Sequence, residues 1–183
     1  MSLTPSEAQS ALKDIEKTEN RSAASRHGRF AAPHLMIWGV VWGIGYLAGA
    51  IEPLSTWIWL PLTLVGVSAS FLIDRRINKG AVKGFSWRYG ASFVAITIFI
   101  VALFSVMRPR EVNQIAAFYP LVIGLYYTFI GIWTKGWRML PLGIALMALT
   151  IVGYWFLPDH FLYWMAAIGG GGLFLGGLWM RSV

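Results

Sequence analysis

Apolar residues in this chain come in long blocks, and polar ones gather in the gaps between them. Six blocks stand out, at about His34–Ile51, Leu54–Ile73, Tyr89–Met107, Val112–Trp133, Leu140–Leu157 and Phe161–Met180. Each is near the ~20 residues an α-helix needs to cross the ~30 Å hydrocarbon layer. The connections are short, so consecutive helices are expected as antiparallel neighbours in one domain. The pattern predicts an all-α polytopic integral membrane protein. Six transmembrane helices form three antiparallel hairpins over residues 33–183, preceded by a polar tail over 1–32.

The tail has its own periodicity. Thr4, Pro5 and Glu7 supply a capping hydroxyl, a first-position proline and a glutamate three residues after the cap, the elements of a helix start. Ala8, Leu12 and Ile15 then mark a narrow apolar stripe, with Lys13, Asp14, Glu16 and Lys17 on the other faces. A short surface helix or partner-docking element is expected there. Acidic residues argue against an organellar transit peptide, and no apolar block close to Met1 reads as a signal peptide.

Composition agrees with lipid as the solvent. Residues are 57% hydrophobic and 13% charged, against about 25% charged in ordinary soluble domains. The net charge of +7 does not point to nucleic acid, because the cations sit in short clusters between apolar runs. Of the fifteen Lys and Arg residues, only Arg108 and Arg110 would face outward if the tail is cytoplasmic, leaving thirteen inside. That asymmetry places both termini in the cytoplasm. A multi-pass protein of the plasma membrane, the bacterial inner membrane, is expected. Cysteine is absent, which removes disulfides, thiol catalysis and cysteine–metal sites.

The outer turn of each pair contains a proline (Pro53, Pro109, Pro158) flanked by basic boundaries, and Gly45-Tyr46 is echoed by Gly153-Tyr154. Such spacing suits a hairpin repeated threefold about the membrane normal. Small residues supply the contacts: Gly39 and Gly43, Gly45 and Gly49 in the first run, and Ala166, Gly169, Gly172 and Gly176 in the last.

Candidate chemistry is sparse. No Asp, Glu, Lys or Arg falls in the central part of any run, which disfavours ion-coupled carriers and a retinal Schiff base. His34 and His160 lie at opposite boundaries and cannot share a metal or haem. No catalytic serine–histidine–acid set and no phosphate-binding loop is evident, so neither an enzyme nor a cofactor is expected. Most of the ten tryptophans form interfacial belts. Trp42 and Tyr46 lie deeper and could line an apolar pocket. The fourth run is the most polar, with Asn113 and Gln114 at its outer mouth, Pro120 inside, and Tyr126 and Thr128 further in. Pro120 frees the carbonyl of Ala116, which then faces either a ligand or another helix's hydroxyl. Pro61 is expected to free that of Trp57 likewise.

Three proline-turned hairpins over residues 33–181 resemble the small bacterial acid-resistance membrane proteins. The pair Gly39 and Gly43 is similar to the small-residue contacts on the first helix of energy-coupling-factor vitamin-binding subunits. Two functional expectations follow. The first is a non-catalytic accessory, scaffolding or stress-associated component acting through helix packing and its tail, with the bilayer and a protein partner or second copy as its contacts. The second is a channel, transporter or binding subunit for a small neutral or apolar solute, using Asn113, Gln114, Tyr126, Thr128, Trp42 and Tyr46. The purified chain should stay dissolved only in detergent, and tags on its two ends should report from the same face of the bilayer.

Overall fold

A computed structural model describes residues 5–52, 57–77, 87–134 and 137–182. Among these, 92% are helical and none forms a strand. The helices are α1 (Pro5–Ile51), α2 (Trp59–Ile77), α3 (Trp87–Met107), α4 (Val112–Trp133) and α5 (Met139–Phe156). The last apolar run begins with a 3₁₀ turn, Pro158–His160, and continues through α6 (Phe161–Met165), a π-helical segment (Ala166–Gly171) and α7 (Gly172–Arg181). Thr4 and Pro53, used above for capping and a turn, lie outside the described residues, as do three of the cations counted there, Lys79, Lys83 and Lys135.

Four stretches are long and apolar enough to cross a membrane: Phe30–Ile51, Val112–Trp133, Met139–Phe156 and Pro158–Arg181. The chain is therefore an all-helical protein with the features of one embedded in a membrane. Val94–Met107 in α3 is a shorter apolar stretch, and α2 closes on Arg75 and Arg76 in its last turn. The polar segment and the first apolar run are one helix rather than two. At 47 residues, α1 exceeds its 22-residue apolar part, Phe30–Ile51, by 25 residues. Pro33 sits inside α1 at the junction, where it removes one backbone hydrogen bond without ending the helix.

The four apolar stretches share a core of Leu35, Trp42 and Tyr46 from α1, Ala117 from α4, Leu146 from α5, and Phe161, Met165 and Leu173 from the last run. Pairings along the interfaces show the directions. Gly177 meets Ala32 and Met36, while Gly49 faces Leu162, so the last run is antiparallel to α1. Gly131 meets Leu140, and Gly124 meets Gly143 and Met147, so α4 and α5 are antiparallel too. α2 lies along another side of α1, with Gly66 against Val41 and Trp38 and the Trp59 ring over Gly45. α3 touches α4 through the ring of Phe104, stacked on Phe118 and Tyr119 at 5.2 and 6.0 Å. Arg108, just past α3, takes the left-handed conformation (φ 44°) and its N–H donates to the Phe104 carbonyl at 3.0 Å, closing the helix.

α1 and the last run approach each other closely at the π segment. A Cβ on Gly39 would stand 2.6 Å from the Phe174 nitrogen and 2.7 Å from the Gly170 carbonyl; one on Gly170 would stand 2.5 Å from Gly43 Cα. The backbone contacts of the last run with α1 thus follow Leu162, Ala166, Gly170, Phe174 and Gly177, and of the expected series Ala166, Gly169, Gly172, Gly176 only Ala166 lies on that line. Steps of four residues drift by about 40° each in an α-helix. The π turn adds one residue and takes up that drift. Gly169 instead faces the Trp42 ring and Met165 Cε at 3.2 Å, Gly176 faces Leu142, and Gly172 has open space.

Pro61 is the third residue of α2, within the first turn where N–H groups have no partner inside the helix. It therefore frees no carbonyl at Trp57, contrary to the sequence expectation. Gly39→Ala and Gly170→Ala should each cost about 1–3 kcal/mol by forcing backbones apart. Gly172→Ala should leave stability unchanged or raise it by up to about 1 kcal/mol. Thermal denaturation in detergent separates the two outcomes.

Candidate functional site

Polar side chains enter the apolar bundle at three depths. At the end where the polar part of α1 leaves the bundle, His34 Nε2 lies 2.9 Å from Asp74 Oδ1, joining α1 to α2. The two side chains are 24% and 13% exposed. A carboxylate can only accept, so the His34 Nε2–H is the donor to it. The Phe30 ring covers His34 at 5.9 Å. One turn from Asp74, on the face of α2 that also carries Gly66, the Ser70 hydroxyl is buried with no hydrogen-bond partner. Beside this end, Arg138 donates from Nη1 to the Trp179 carbonyl at 2.5 Å and lies 4.9 Å from the Trp179 ring centroid. It thereby caps the final helix.

At mid-depth the carbonyl that Pro120 frees is taken by a hydroxyl. Tyr46 Oη donates to the Ala116 oxygen at 2.8 Å, linking α1 to α4. The Tyr46 ring packs edge-on against Trp42 at 6.0 Å and Trp59 at 5.1 Å. Nearby hydroxyls bond their own helices: Thr128 to the Gly124 carbonyl at 2.8 Å and Thr150 to the Leu146 carbonyl at 2.7 Å. Trp164 Nε1 donates across to the Leu149 carbonyl at 2.8 Å, tying the last run to α5.

At the opposite end Asn113 donates to the Pro158 carbonyl at 2.8 Å. Gln114 accepts from the Arg110 backbone N–H at 3.3 Å. Between α4 and α5 runs an open groove of about 280 Å³ lined by Gln114, Ala117, Phe118, Leu121, Thr150, Ile151, Tyr154 and Trp155.

The six candidate ligand residues are therefore not gathered around one cavity. Trp42 and Tyr46 fill the core, Asn113 joins two helix ends, Thr128 serves its own helix, and Tyr126 stacks on Tyr127 at 6.2 Å. Gln114 alone lines the groove. Sequence reading missed Tyr154, Thr150 and the His34–Asp74 pair. A shared depth on adjacent helices was the available signal for the pair. Among the described residues no three His, Cys, Asp or Glu side chains converge as a metal site. No known family model, curated protein or solved structure matches the chain.

Tyr46→Phe should strand the Ala116 carbonyl and cost about 1–3 kcal/mol. In a Pro120→Ala background, where a backbone N–H is restored, the cost should fall markedly. A double-mutant cycle of unfolding free energies reads the coupling.

Proposed function

We propose that this chain is a non-catalytic accessory or scaffolding component of a membrane, stress-associated in role, which presents its N-terminal helix to a partner protein. The observation that carries this reading is the continuity of α1. Its 25 residues beyond the apolar part would reach about 37 Å at 1.5 Å per residue. A stiff polar helix built onto a membrane span is an extended surface held at fixed distance and angle, as a docking element needs. The interior supports the same reading. Its polar atoms are spent on joining helices, as with Tyr46 on Ala116 and Trp164 on Leu149, and they leave little with which to bind or turn over a substrate.

In the finer form of the proposal all six runs cross the plasma membrane of a bacterium, as three tandem hairpins with both termini cytoplasmic. Its support is that Arg75, Arg76, Arg138 and Arg181 belong to the bundle end where α1 leaves, given the pairings of His34 with Asp74 and of Ala32 with Gly177. That end then faces the cytoplasm. A second reading, capture of a small apolar ligand, is favoured by the groove between α4 and α5 and is developed below.

Affinity capture from native membranes tests the scaffold reading. The full chain should retain a defined partner that a variant lacking residues 1–28 loses. Recovery of no partner with either would overturn it.

A further inference from the structure

The groove between α4 and α5 gathers several polar groups that are not used up beside an apolar lining. Gln114 spends its carbonyl oxygen on Arg110, and its amide nitrogen has no partner among the described residues. The Tyr154 hydroxyl and the Trp155 indole N–H likewise have no described hydrogen-bond partner, although the Tyr154 ring packs edge-on against Trp155 and Phe161 at 5.5 and 5.8 Å. These three residues stand together at one end: Gln114 is in the first turn of α4, and Tyr154 and Trp155 are in the last turn of the antiparallel α5. From there Ala117, Phe118 and Leu121 on α4 and Ile151 on α5 continue the lining inward. Thr150 adds no free donor, since its hydroxyl is turned back to Leu146. From Gln114 to Leu121 the groove covers about 10 Å of helix axis.

We propose that this groove holds one acyl chain of a membrane glycerolipid, with the ester carbonyl at Gln114, Tyr154 and Trp155. The proposal stands independently of the scaffold reading. Three chemical features select this occupant. The free groups at the mouth are donors (an amide N–H₂, a phenol and an indole), and an ester offers acceptors without charge. The inner lining is aliphatic and aromatic carbon, which suits methylenes and excludes a hydrated solute. The gradient from donors to hydrocarbon runs along the helix axes, the direction in which a lipid stands in its leaflet. The volume, at the low end for ligand pockets, suits a single chain better than a fused ring system.

The test uses the full chain reconstituted in phosphatidylcholine vesicles carrying a small fraction of phosphatidylcholine with a diazirine on one acyl chain. After irradiation, adducts are mapped by peptide mass spectrometry. The face of α3 bearing Ile98 and Val101, each 63% exposed, is the control, because it offers lipid more accessible area than Ile151 at 50%. Adducts should concentrate on Phe118, Leu121 and Ile151 rather than on α3. Ile151→Trp, which fills the groove from its lipid side, should remove most of them and leave those on α3 unchanged. Gln114→Ala should lower them about fivefold, the equivalent of one hydrogen bond of roughly 1 kcal/mol. Adducts distributed in proportion to exposure, or groove adducts that persist in Ile151→Trp, would overturn the proposal. Circular dichroism of both variants confirms that the helices are intact.

Discussion

No methyl group fits at Gly39 or Gly170, where α1 and the last apolar run cross, and the arrangement of the other helices depends on that. In hydrocarbon there is no hydrophobic drive between helices, so association relies on dispersion and on how closely backbones approach. Gly39, Gly43 and Gly170 supply the approach. The α1–last-run pair then offers its flanks: α2 lies along α1, and α5 lies along the last run through Trp164 and Leu142. α4 completes the group by packing against α5 through Gly124, Gly131 and Gly143.

The second demand is that backbone polar groups in lipid be satisfied from within. The chain meets it with side chains of the bundle itself. The carbonyl that a proline frees in α4 is answered by a tyrosine of α1 seventy residues before it, and the last helix is closed by an arginine that precedes α5. This explains why most polar residues noticed in the fourth run do not form a binding site. Asn113 and Thr128 make structural hydrogen bonds, whereas Gln114 at the rim, like Tyr154 across from it on α5, still has capacity to donate.

Much of the helical layout was legible in the sequence. The run Val112–Trp133 coincides with α4, and Leu140–Leu157 differs from α5 by one residue at each end, because helix ends follow the switch from apolar to charged residues. Two things were not legible. Continuity of α1 could not be seen from hydropathy, which changes at Phe30 while the backbone does not. The face of the last run was misjudged because a π turn alters the periodicity that face counting assumes. Glycines 169–172 tolerate such a turn, but nothing in their spacing announces it. The pairs Tyr46–Ala116 and His34–Asp74 were hidden for another reason: each joins positions far apart in the chain, and only helix adjacency brings them together.

One consequence of the long first helix concerns mechanics. The segment that packs against glycine on both sides of the crossing is also the shaft of a polar rod, and an unbroken helix transmits torque along its axis. Pro33, with its missing amide, is the compliant point between the two halves. A load applied to the rod is thus felt either as a bend at Pro33 or as a twist at Gly39, and the relative stiffness of those two places decides how much of what happens in water is conveyed into lipid.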